Sequence, residues 1–358
     1  MLGSFRFFLA LCVIIFHLTG HVPAIGMLAV ECFYVISGYL MTLVLNENYR
    51  FELLPFVENR FLRLYPSYYA LALFTLGAWA IASPAPSFHA AWEWQGRIAD
   101  YVGNLLIFPW NLSLPPEWSS HFRILPPTWS VAVEICCYAL LWIIVARRWW
   151  TAALALALTA ALHVSTFIHG EDPLARYFPV SASMLAFSLG SLTYRIAIHW
   201  ERVRPDWLKA DKTQAALLAV GIALYLVNWM AGLRDATVTS NVTFYLDMLI
   251  ASLVAVAFHR IRVTGRLGWL DRWLGDLSYP IFLAQFTGGY IAWRLLGSHA
   301  ENRGWLIAIL AIALSVGIGV LCVLLIDRPM QKLRGRIRRH AKANKVVGGL
   351  SGIARQSE

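Results

Sequence analysis

Apolar residues run along this chain in blocks of about twenty, the length that carries a helix across a ~30 Å hydrocarbon layer. Ten blocks can be read: residues 5–20, 25–45, 65–82, 125–146, 149–167, 180–198, 215–231, 243–258, 279–296 and 305–326. They predict an all-α fold, a polytopic membrane bundle of about ten transmembrane helices. A membrane β-barrel would alternate polar and apolar positions in segments of about ten, and continuous runs such as 306–326 exclude it. The long outer loop, 83–124, is rich in Trp and Pro. Its apolar centre, 102–110, is too short to span, which predicts an interfacial or re-entrant segment. No internal repeat is visible, which counts against a repeat-built transporter.

Composition agrees with the pattern. Of 358 residues, 59% are hydrophobic and 14% charged, against about 25% charged in soluble domains. The net charge of +10 would suggest nucleic acid in a soluble protein, but in a membrane protein it is the positive-inside bias, and no nucleic-acid partner is expected. With ten spans both termini share a side. The segments on that side hold 24 of the 30 basic residues, the exceptions being Arg97, Arg123, Arg176, Arg234, Arg294 and Arg303. Both termini are therefore expected in the cytoplasm. Two regions follow: a transmembrane domain, 1–330, and a basic cytoplasmic tail, 331–358, able to touch anionic lipid. The first block resembles a signal peptide but is read as an uncleaved span, since cleavage would discard Arg6 and His17. The five cysteines lie in apolar runs without C-x-x-C spacing, so neither a disulfide framework nor a metal site is indicated.

Ionisable residues inside spans are costly and mark candidate function. His17 lies eleven residues after Arg6, almost three helical turns and about 16 Å, so the two share a face, with Arg6 at the cytoplasmic rim and His17 near the midplane. Glu134, with Tyr138 one turn later, lies roughly 12 Å into the fourth block, a comparable depth. A buried His and carboxylate suit activation of a hydroxyl: the imidazole takes the proton and the acid orients it. A neutral core histidine and a purely structural pair are the alternatives. Arg60 and Arg63, at i,i+3, form either a fork for phosphate groups or an anchor at the cytoplasmic rim. Glu31, Ser37, Trp129, Ser130 and Tyr138 complete the candidate pocket, and Gly38 admits close packing or a slim substrate arm.

There is no P-loop, Rossmann glycine fingerprint, H-E-x-x-H or G-x-S-x-G. The polar set instead resembles a family of multi-span membrane acyltransferases, acyltransferase family three. Arg6-Phe-Phe-Leu-Ala10 with His17 is similar to its opening motif, and Ser37-Gly38-Tyr39 to the end of its second-span motif. Arg60-Phe-Leu-Arg63 is similar to its R-x-x-R signature, and Trp129-Ser130 with Glu134 to its W-S-x-x-x-E element. Leu274–Leu283 and Asp327-Arg-Pro329 resemble its closing segments. Gln285 stands where the family often has His, leaving a second histidine in doubt, and Asp327 replaces the commoner Glu. No soluble esterase-like domain is expected after Arg328.

The resemblance implies an O-acyltransferase that moves an acyl group, acetyl above all, from cytoplasmic acyl-CoA to a hydroxyl of a glycan or lipid-linked sugar on the outer side. The product would be a modified polysaccharide such as exopolysaccharide or lipopolysaccharide. No tightly bound cofactor and no metal are implied, and the expected home is a bacterial inner membrane, among lipid. An oligomer, or a partner in glycan export, is compatible with this. Arg6, Arg60 and Arg63 would hold the acyl-CoA phosphates, and His17 would take the acceptor proton or carry the acyl group. The rivals are a proton-coupled transporter with a midplane His–Glu relay and an assembly subunit without turnover.

Overall fold

The computed structural model describes residues 1–108, 122–233, 238–298 and 301–337. Among them the chain is helical, with no strand. The helices are α1 (Leu2–Thr19), α2 (Ile25–Val44), α3 (Leu53–Ala82), α4 (Ile98–Leu106), α5 (Thr128–Leu140), α6 (Trp149–Ile168), α7 (Val180–Val203), α8 (Asp211–Gly232), α9 (Val238–Ala257), α10 (Gly265–Leu295) and α11 (Trp305–Cys322). Single π turns prolong α2 (Leu45–Tyr49), α5 (Leu141–Val145) and α11 (Val323–Asp327). Apart from the short α4, these segments coincide with the ten predicted spans. Six are long and apolar enough to cross a membrane by length and composition: α1, α2, α5, α6, α8 and α11 with their extensions.

Two helices begin well before the hydropathy pattern places them, and the last runs on past residue 326 to Ile337. The third and ninth spans start at residues 53 and 265 rather than 65 and 279. Their added turns carry Arg60, Arg63, Asp271 and Asp276, charges that end an apolar run without ending a helix. One of these charges is put to use. Asp271 on α10 accepts from the Ser4 backbone N–H and hydroxyl, both at 2.8 Å, so a carboxylate satisfies an otherwise unpaired donor at the positive end of α1.

Contacts define two ends of the bundle. At one, Gly3 of α1 backs onto Asp271 and Gly275 of α10; at the other, Leu18 of α1 meets Gly289 of α10. The two helices therefore run side by side in the same direction. α2 returns antiparallel, Gly26 facing Phe16, and α11 starts beside the end of α1, where the Gly304 N–H donates to the Leu18 carbonyl at 2.9 Å. We call these the Met1 end and the His17 end. Midway, α2 and α7 cross at Gly38 and Gly190: a Cβ on Gly38 would fall 2.3 Å from the Phe187 carbonyl oxygen, and one on Gly190 2.1 Å from that of Val35. Such backbone contact is a packing device of membrane helices. Of the two expectations for Gly38, close packing is the one observed.

α4 takes in most of the apolar 102–110 segment, of which residues 109–110 lie outside the described residues. Ile98, Tyr101, Leu105 and Leu106 are exposed on it, while Asp100 is buried. The Tyr65, Tyr68 and Tyr69 hydroxyls on α3 donate to the carbonyls of Leu106, Asn104 and Leu105 at 2.7, 2.5 and 2.7 Å. Tyr65 lies seventeen residues before the end of α3, about 26 Å along the axis. The C-terminus of α4 thus lies far along the outer face of α3, and three phenols at helical spacing supply partners for the carbonyls that its last turn leaves free.

Candidate active site

The cavity at the Met1 side of the bundle has Glu134 in its wall. α5 opens on Pro126 and Pro127, both buried like Leu125 before them, and its first hydroxyls turn back onto the chain: Thr128 donates to the Leu125 carbonyl at 2.8 Å and Ser130 to that of Pro127 at 2.9 Å. One turn on, Glu134 Oε1 accepts from Ser37 Oγ at 2.6 Å and from the Tyr138 hydroxyl, the neighbour expected at i,i+4. Arg6, Ser37, Ser130, Glu134, Tyr279 and Phe282 help to enclose a space of about 50 Å³. That holds a few waters or a slim chain, not a nucleotide. Arg63 lies behind its wall, the guanidinium 5.8 Å from the centroid of the Tyr279 ring. Among the described residues Arg63 has no hydrogen bond or ion pair. Arg60 is engaged, donating to Asn59 Oδ1 at 2.8 Å and to Met41 Sδ at 3.4 Å. Asp327, from the closing motif, accepts from Ser67.

His17 is elsewhere. It belongs to the last turn of α1, its ring 4.8 Å from that of Phe16 and 5.0 Å from that of Phe286 on α10. Arg6 and His17 do share one face of α1, but about 16 Å apart, and it is Arg6 that faces into the Glu134 cavity. The expected His17–Glu134 pair is not formed. The two helices do not begin at the same level. α1 is 18 residues long, so position 17 is its far end rather than its middle. α5 starts on buried chain, so position 134 is deeper than its place in the helix suggests.

Three further expectations need correcting, the first being Tyr138, which holds Glu134 but does not itself line the cavity. Glu31 is buried on α2 but is not in the cavity wall, which takes Val30 and Tyr34 instead; its Oε1 has no hydrogen-bond partner. Trp129 packs edge-on against Tyr177 and Phe178, at 5.2 and 4.8 Å, away from the cavity that its neighbour Ser130 lines. Gln285 donates to the Phe282 carbonyl at 2.8 Å. No group of three or more His, Cys, Asp or Glu among the described residues is placed to hold a metal ion. The tail beyond residue 337 lies outside the described residues.

At the His17 end the fold brings in residues that periodicity could not select. His89, in the loop after α3, sets its ring 4.3 Å from Phe286, the residue His17 also touches. Arg303, just before α11, donates to the Phe88 carbonyl at 2.9 Å and lies 4.6 Å from the centroid of the Phe88 ring and 5.9 Å from that of Phe286. Burial, with the Arg303 charge beside it, pushes the His89 pKa down to about 4, and burial lowers that of Arg303 to about 10. At neutral pH the cluster therefore holds a neutral imidazole and a guanidinium cation. The two regions are joined along α10, where Phe282 lines the cavity and Phe286, one turn on, meets His17.

Long apolar helices with polar groups enclosed between them define an integral membrane protein of the polytopic helical class. Comparison with known proteins narrows the class: a family model described as an acyltransferase domain matches residues 2–324, and the chain belongs to that family. It is similar to the O-acetyltransferase OatA of Staphylococcus aureus (strain NCTC 8325 / PS 47), 26% identical over 310 residues, 79% of this chain and 49% of the relative. It is likewise similar to the putative peptidoglycan O-acetyltransferase YrhL of Bacillus subtilis (strain 168), 26% identical over 304 residues, 79% of this chain and 47% of the relative. The chain thus spans about half the length of the curated relatives it matches. No solved structure matches it.

Proposed function

We propose that the chain is a membrane O-acetyltransferase that takes acyl-CoA at the Met1 end and delivers the acyl group to a glycan hydroxyl at the His17 end. The observation that carries this reading is an alignment. Arg6, in the cavity wall, and His17 lie on a single face of α1, and Phe282, in the same wall, and Phe286, against His17, lie one turn apart on α10. The basic asymmetry favours the Met1 end as the cytoplasmic one. The nucleotide phosphates of acyl-CoA meet Arg63 and Arg60 there, and the acyl-bearing arm passes the Glu134 cavity. His17 takes the proton of the attacking hydroxyl. A proton-relay transporter loses its motivation, because the midplane His–Glu pair it required is not formed.

The name of the Bacillus subtilis relative suggests peptidoglycan as the acceptor to try first. Purified protein in lipid vesicles, given acetyl-CoA and peptidoglycan glycan strands, should release free CoA thiol and leave alkali-labile acetyl groups on the sugar, both seen by mass spectrometry. Protein that binds acetyl-CoA but transfers acetyl neither to these strands nor to exopolysaccharide or lipopolysaccharide would overturn the reading.

A further inference from the structure

His89 has a role to fill that the path above leaves open. Attack on a thioester places negative charge on the acyl oxygen, and preorganised donors at that point are a large source of catalysis. The His89 imidazole is suited to donate. Its Nδ1 accepts from the Ala91 backbone N–H at 3.0 Å, which fixes the tautomer with the proton on Nε2. Among the described residues Nε2 has no hydrogen-bond partner. Both imidazoles contact Phe286, so their rings are no further apart than the sum of 4.3 and 5.0 Å. Arg303 adds a positive charge to the cluster, held by the Phe88 and Asn302 carbonyls at 2.9 and 2.6 Å, with no carboxylate partner among the described residues.

We propose that His89 is a second catalytic histidine, whose Nε2–H, in the field of Arg303, stabilises the oxyanion formed on the acyl carbonyl. This rests on the acyl-transfer reading. In the step, His17 takes the acceptor's hydroxyl proton as its oxygen bonds to the acyl carbon, and the carbonyl electron pair moves onto oxygen, where His89 and Arg303 meet it. Collapse of the adduct breaks the carbon–sulfur bond. CoA leaves as thiolate and recovers the proton from His17, so ester and thiol are the only products.

Two near-isosteres separate catalysis from structure. In His89→Asn the amide oxygen falls near the place of Nδ1, keeping the Ala91 bond and losing the donor. In His89→Gln the amide N–H falls near the place of Nε2, keeping the donor and losing the loop bond. Assayed in vesicles with acetyl-CoA and peptidoglycan strands, His89→Asn should lower kcat by about 10²–10³-fold with both KM values unchanged, and His89→Gln should retain most of kcat. A structural histidine gives the reverse order, with Asn tolerated and Gln melting earlier. That reversal, or wild-type kcat in His89→Asn, overturns the assignment while acyl transfer stands. A wild-type protein without transfer to any glycan tried overturns the acyl-transfer reading, and this one with it.

Discussion

The two ends of the α1 face are built from opposite materials. Around Arg6 the groups come from helix interiors: Ser37, Glu134 and Tyr138 hold one another through short hydrogen bonds at the edge of a small cavity. Around His17 they come largely from loops: His89 from the segment after α3 and Arg303 from the turn before α11, gathered over Phe286. The first arrangement is rigid and suits the invariant part of a reaction, the donor common to every turnover. The second can be altered by loop change without disturbing the bundle, and suits the acceptor. If this contrast is functional, damage at the two ends must show in different kinetic constants.

The largest effect is expected at the His17 end. His17→Ala should cut kcat by roughly 10²–10⁴-fold, the usual worth of a general base, while acetyl-CoA binding measured by calorimetry is retained. If His17 carries the acyl group instead, labelled acetyl-CoA without acceptor leaves label on that residue. At the Met1 end Arg63→Ala should raise the KM for acetyl-CoA about tenfold or more, the worth of a charge-assisted hydrogen bond of about 1.5–3 kcal/mol. Arg63→Lys should restore little where recognition is bidentate. An unchanged KM in both variants returns Arg63 to a membrane anchor. Gly38→Ala tests the frame that both ends share: with the Phe187 backbone in the way, it should cost about 1–3 kcal/mol of stability, seen as a lower melting temperature in detergent. Smallest is Tyr69→Phe, which removes one of three bonds at the end of α4 and should cost about 0.5–1.5 kcal/mol. A larger loss of activity than of stability there would mean that α4 serves the reaction directly.

The same contrast explains what could be read in the sequence. The helical segments and the Glu134–Tyr138 contact depend on local periodicity, and the chain's pattern carries them. So does the shared face of Arg6 and His17. The level at which two helices meet is not local. It depends on where each begins in the bundle, which is why Glu134 faces Arg6 rather than His17. Glu31 and Trp129 went astray for a related reason, since a turn of helix offers several outward directions and only packing selects one. His89 and Arg303 lie in segments without periodicity, more than two hundred residues apart, and only the closed fold makes them neighbours of His17.

The central claim is that one path crosses the bundle, with the donor at the Met1 end and the acceptor at the His17 end. Vesicles holding the protein in one orientation, established by protease access to the C-terminal tail, test it directly. Acetyl-CoA is confined to the side bearing the Met1 end and glycan strands to the other. The account predicts acetylated glycan in that arrangement and none when the two substrates exchange sides. Transfer only when donor and acceptor share a compartment would contradict it.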